Sequence, residues 1–132
     1  MAERMIEMSG LHDKVIREIK DVLNQKSFDV YLNPGQEKNA GIMDNYPDVI
    51  MTEKGTTTVK FILEVETEDS VTKAEASTQW KKYSDEIKAT FYIVVPQHML
   101  MKAKNLCQQE GVNARFATYV VMNDGKLNFI FY

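Results

Sequence analysis

Leu11, Val15, Ile16, Ile19, Val22 and Leu23 recur at three- and four-residue intervals, which predicts an amphipathic helix over residues 11–25. Residues 1–8 read as a short helix or a frayed arm, interrupted by Ser9-Gly10. The period then changes to two: Phe28, Val30 and Leu32 alternate with polar neighbours, predicting a strand over 26–32. Pro34, Gly35, Gly41 and several polar residues mark 33–45 as a mobile loop. Loops of that length in a small domain are often functional. Residues 46–66 predict two strands joined by a tight turn at Glu53-Lys54-Gly55. After a polar turn over 67–71, Ser70 or Thr72 is placed to cap a helix over 73–87. The unbroken apolar run over 90–95, ended by Pro96, predicts a strand covered on both faces. A further amphipathic helix over 99–110 is stopped by Gly111. Residues 115–122 and 126–132 predict a hairpin about Asn123-Asp124-Gly125.

The order is helix, three strands, helix, strand, helix, two strands. Strands joined through helices imply a mixed sheet with helices packed on it, an α/β fold. At 132 residues the chain is expected to form one domain, residues 1–132. The single cysteine, Cys107, excludes an internal disulfide framework and suits a reducing compartment. Between Ala103 and Leu106 on one side and the helix end on the other, it reads as core. No apolar run approaches the ~18 to 20 residues that cross a membrane, and residues 1–8 lack the form of a signal peptide; the expectation is a cytoplasmic protein with no membrane partner. A net charge of −3 argues against a protein that coats nucleic acid by charge alone. His12 and His98 have no second histidine at ligand spacing, so zinc is not expected.

Candidate chemistry concentrates in 46–66. Asp48 opens the first strand of the predicted hairpin, and Glu64 and Glu66 close the second. Antiparallel pairing sets the start of one strand beside the end of the other, so these acids should converge. Glu64 and Glu66, two apart, share a face, while Phe61, Leu63 and Val65 face the core. Clustered carboxylates raise one another's pKa unless a cation sits among them, and a metal is the simplest explanation of the cluster.

Pro47-Asp48 on one strand, Glu64-Val65-Glu66 on the next, and Gln79-Trp80-Lys81-Lys82-Tyr83 on the following helix together resemble the PD-(D/E)xK nuclease superfamily, the last matching the QxxxY motif of its RecB-type members. The resemblance covers about residues 11–95. It implies a restriction-endonuclease-like mixed β-sheet flanked by helices, an αβββαβ core with a further helix and a C-terminal β-hairpin as elaboration. It implies a DNA-cleaving phosphodiesterase using Mg²⁺ (or Mn²⁺), held by Asp48, Glu64 and the backbone carbonyl of Val65. Mg²⁺ favours such hard oxygen ligands. Gln79 and Tyr83, one helical turn apart, would meet the DNA backbone or steady the metal site. Small members act as dimers, so by analogy a homodimer is implied.

Glu66 stands where the superfamily usually carries a lysine. It is then a general base or third ligand, or the lysine comes from elsewhere. At ~100° per residue, Lys82 projects within ~60° of Gln79 and is the better substitute, with Lys73 weaker. Asp44 is a fallback ligand, and His12 or Glu18 on the first helix are distant candidates. Each has an ordinary reading as well: Asp48 as a loop end, Glu66 as a solvated strand end, Gln79 and Tyr83 as surface and packing residues. If the Glu66 departure means lost catalysis, the chain is a silent nuclease-fold module that binds nucleic acid or protein.

Overall fold

The segments expected as strands form one six-stranded mixed sheet. β1 (Phe28–Leu32), β2 (Val49–Glu53) and β3 (Val59–Val65) run as an antiparallel meander. β4 (Thr90–Pro96) and β5 (Arg115–Val121) follow in parallel, and β6 (Leu127–Phe131) returns antiparallel. Spatial order follows chain order from β1 to β6. The structure, a computed structural model, describes residues 6–132; the expectation for 1–5 lies outside the described residues.

Parallel neighbours need a crossover, and two helices supply it. α2 spans 73–86 between β3 and β4, and α3 (Leu100–Glu110) lies between β4 and β5. α1 (Ile6–Ile19) precedes the sheet and ends in a 3₁₀ turn over Lys20–Val22. It runs straight through Ser9-Gly10, where a break was expected: a glycine inside a helix costs only ~1 kcal/mol, and the space around Gly10 is open. α1 gives way to its 3₁₀ turn six residues before the expected end at 25, and the other boundaries fall within two or three residues of expectation. Thr72 is the cap of α2, accepting the Glu75 N–H, whereas Ser70 forms a capping box with Thr67 one turn earlier. Gly111 ends α3 at φ 67° and Gly125 turns the last hairpin at φ 83°, conformations that favour glycine.

The helices cover both faces. Val15, Ile16 and Ile19 of α1 pack on Val49, Leu63, Val65 and Val94. On the other face Val71, Ala76, Trp80 and Tyr83 join Ala103 and Leu106 of α3 over Ile50, Ile62, Ile93 and Val95. β3 is therefore buried on both sides. Glu64 and Glu66, which continue the Ile62 side, lie beneath α2 rather than in water, with 3% and 0% exposure.

α2 is not a uniform α-helix. Lys73–Glu75 and Lys81–Glu86 flank a π-helical turn over Ala76–Trp80, where the Lys81 N–H donates to the Ala76 carbonyl five residues back. The hydroxyls of Ser77 and Thr78 both donate to the Ala74 carbonyl. Such back-bonding competes with the backbone ladder and accounts for the widened turn. Among the described residues no helix is long and apolar enough to cross a membrane.

Candidate functional site

The β2–β3 register pairs Val49 with Leu63 and so sets Asp48 beside Glu64. Each side chain clasps the other strand's backbone. The Asp48 N–H donates to Glu64 Oε1 at 2.9 Å, and the Val65 N–H donates to Asp48 Oδ2 at 2.8 Å. Both residues are buried. α1 adds His12, whose Nε2 lies 3.1 Å from Asp48 Oδ2 and whose Nδ1 lies 3.1 Å from Asp13 Oδ1. One ring nitrogen of His12 thus faces each acid. Asp13 Oδ1 also accepts the Gly35 N–H, which ties α1 to the loop that precedes Asp48.

That loop, expected to be mobile, is organised around one buried side chain. Asn33 Nδ2 donates to the carbonyls of Ala40 and Pro47, and Asn33 Oδ1 accepts from the N–H groups of Asn39 and Ala40. Gly41 then packs so closely on Tyr46 that a Cβ would lie 2.7 Å from its ring. The closed loop walls a narrow cavity of about 50 Å³, lined by His12, Asn33, Lys38, Tyr46, Asp48, Glu64 and Gln79 among others. A groove of about 480 Å³ adjoins it, sharing Lys38, Tyr46 and Gln79 and adding Asp44, Thr78, Lys82 and Tyr83.

Acids crowd the Glu64 side chain. Burial pushes the Glu64 carboxyl well above its ordinary value, and the charges of Asp48, Glu66 and Glu75 push it further, against the opposing effect of the Asp48 N–H. Tyr83 is likewise held above the usual phenol range by burial and then by the Glu64 charge, so it stays a neutral phenol. Gln79 Nε2 donates to the Tyr83 hydroxyl at 2.8 Å, and Gln79 Oε1 is buried without a hydrogen-bond partner. One oxygen each of Asp48 and Glu64 accepts the bonds above, and among the described residues the second oxygen of each accepts none.

The expected site residues thus divide. Asp48, Glu64 and Gln79 come together at the cavity, while Tyr83 and Lys82 line only the adjoining groove. The Val65 amide is tied to Asp48. Glu66 is not among the cavity-lining residues and is no solvated strand end. Ser70 Oγ donates to its Oε1 and Trp80 Nε1 to its Oε2, each at 2.7 Å, and the Tyr119 hydroxyl donates to its carbonyl. Asp44 faces the groove; Glu18 sits away from the acids, accepting from Leu127 N–H. His98 pairs with Glu68 at the surface, 3.4 Å apart. Among the described residues no group of three or more His, Cys, Asp or Glu side chains is placed to hold a metal ion.

Two neighbours of the acids were not singled out from the sequence. Glu75 is four residues before Gln79 and eight before Tyr83, so helical periodicity already put it on their face. Lys38 lies in an aperiodic loop and carried no signal. Comparison with protein-family models, curated proteins and solved structures finds no match to this chain.

Proposed function

We propose that the chain is a PD-(D/E)xK-type nuclease that hydrolyses DNA phosphodiester bonds with a divalent cation, Mg²⁺ or Mn²⁺, at Asp48 and Glu64. The observation that carries this reading is the buried pair itself: two adjacent carboxylates lining one cavity, with the Glu64 carboxyl raised by burial and then by the charges of Asp48, Glu66 and Glu75. A meander that feeds a parallel β4 through α2 agrees with a restriction-endonuclease-like core.

The donor set fits a hard cation. Two carboxylates, each with an oxygen not engaged by the protein, suit an ion that keeps several waters and takes one or two protein carboxylates. Gln79 Oε1, buried and lacking a donor, adds a third oxygen at the same wall. When bound, such an ion neutralises developing phosphate charge and acidifies an attacking water. The chain's own residues do the positioning. His12 and the Val65 amide orient the Asp48 carboxylate, and the Asp48 amide orients that of Glu64. The groove, with Lys38, Lys82, Gln79 and Tyr83 on its walls, offers cations and hydrogen-bond donors to a phosphate backbone. Glu66 holds the end of β3 to α2 and acts on the site through its charge.

The reading is tested by plasmid nicking with Mg²⁺ or Mn²⁺ beside Glu64→Ala. Cleavage that the substitution abolishes is the expected result. One observation favours a second reading, a silent nuclease-fold module: the position usually held by lysine is a glutamate bonded to Trp80 and Ser70. An intact plasmid together with salt-sensitive DNA binding would select that reading.

A further inference from the structure

We propose that Lys38, on the loop between β1 and β2, supplies the ammonium that stabilises the scissile phosphate in place of a lysine at position 66. The inference rests on the nuclease reading above and names the residue that reading leaves unassigned.

The motif position is closed to the task. Glu66 is fully buried, and its carboxylate is held by Ser70 and Trp80. The lysines of α2 are poorly placed as well. Lys81 reaches back to the Gly111 carbonyl and pairs with Asp85. Lys82 lines the groove but not the cavity that holds the acids. Lys38 alone among the lysines of the described residues lines both. It stands where the acid cavity opens into the groove, which is where a phosphate running along the groove would meet the carboxylates.

The side chain is also exposed and available. Its ammonium rests over the Tyr46 ring, 5.1 Å from the centroid, and makes no ion pair among the described residues. A cation on an aromatic face is oriented at small cost and keeps its N–H groups for another acceptor. The ring beneath it is fixed, because Gly41 packs against Tyr46 and the Asn33 bonds secure Ala40 and Pro47 on either side of it.

In hydrolysis a water oxygen forms the new bond to phosphorus and the phosphorus–oxygen ester bond breaks. The proton lost by the water goes to solvent, and the leaving alkoxide takes one up from solvent. The Lys38 ammonium donates to a non-bridging oxygen as charge builds on it, and removing such a donor costs ~10²-fold or more in rate.

The test uses the full chain and supercoiled plasmid with Mg²⁺, comparing wild type, Glu64→Ala, Lys38→Ala, Lys38→Arg and Lys82→Ala. Lys38→Ala should lose ~100-fold in kcat with KM changed less than ~threefold, and Lys38→Arg should recover part of the loss. Lys82→Ala removes a groove cation that does not line the acid cavity, so its loss should fall on KM rather than on kcat. A second readout needs no metal: in EDTA, the salt dependence of binding to a short DNA duplex should fall by ~0.9 in log–log slope for Lys38→Ala. If wild type cuts, Glu64→Ala does not, and Lys38→Ala cuts at the wild-type rate or keeps the full slope, Lys38 is overturned and the nuclease reading stands. If wild type leaves the plasmid intact, the nuclease reading fails and the catalytic assignment fails with it.

Discussion

Trp80 donates its indole N–H to Glu66 Oε2 at 2.7 Å, and both side chains have 0% exposure. The bond fastens the π-helical turn of α2 to the residue that follows β3. A hydrogen bond to a buried charged group contributes ~1.5–3 kcal/mol, so Trp80→Phe should destabilise the protein by ~2 to 4 kcal/mol once the smaller ring is counted. Urea unfolding should show the midpoint falling with an unchanged slope.

The same pair makes an unusual forecast about the motif. Restoring the superfamily's customary residue with Glu66→Lys should impair the protein rather than activate it. The substitution removes the acceptor of both Ser70 and Trp80 and buries an ammonium with no room to reach water. A loss of ~4 kcal/mol or more is expected, seen as a collapsed melting temperature with no gain in plasmid cleavage.

Glu64 makes stability depend on pH in a known direction. Its carboxyl is raised in the folded chain by burial and by Asp48, Glu66 and Glu75, so folding favours its protonated form. Its contribution is fully present below the unfolded-state value and is lost as pH rises through the folded-state value. In EDTA, Glu64→Gln should therefore melt above wild type, with the gap widening from pH 5 to pH 8. Added Mg²⁺ should narrow the gap by stabilising wild type alone. A gap that is constant across pH would contradict the assignment.

Asn33 should behave as a single fastener for the loop. Asn33→Ala removes four hydrogen bonds from a buried position and should cost ~2 to 4 kcal/mol. Amide exchange at Asn39 and Ala40, which donate to Asn33 Oδ1, should accelerate first. Asn33→Asp keeps that acceptor and loses the donors to Ala40 and Pro47, so those two amides should stay the more protected of the pair of variants.

Cys107 should be inert in the native state. Burial pushes its thiol up to about 12, and thiolate is the reactive species. Alkylation by iodoacetamide at pH 8 should run far more slowly in native protein than in urea.

Most strands were legible because alternation marks the two faces of a sheet, β4 because its unbroken apolar run marks burial on both, and the turn at Gly55 fixed which ends of β2 and β3 met. That reasoning brought Asp48 to Glu64 without any knowledge of the helices. It misjudged Glu66, because Ser70 and Trp80 reach it from a turn and a helix whose position over the sheet no local pattern records. His12 was weighed only distantly for the same reason: its approach to Asp48 depends on how α1 crosses the strands. Lys38 was silent because loop residues carry no period. The π-turn was equally hidden, since residues 75, 79 and 83 share a face in any ordinary helix.

That wide turn sets regularity against fit. Removing one residue from Ser77-Thr78 would let α2 close into an even spiral, better hydrogen-bonded along its own axis. It would also swing Glu75 away from Trp80 and Tyr83 by ~100°, so the indole could no longer reach Glu66 while Thr72 still capped the first turn. A shortened variant with a smoother helix should thus be the less cooperative protein, and an evolutionary path that tidied this segment would have to rebuild how α2 seats on Glu66 as it went.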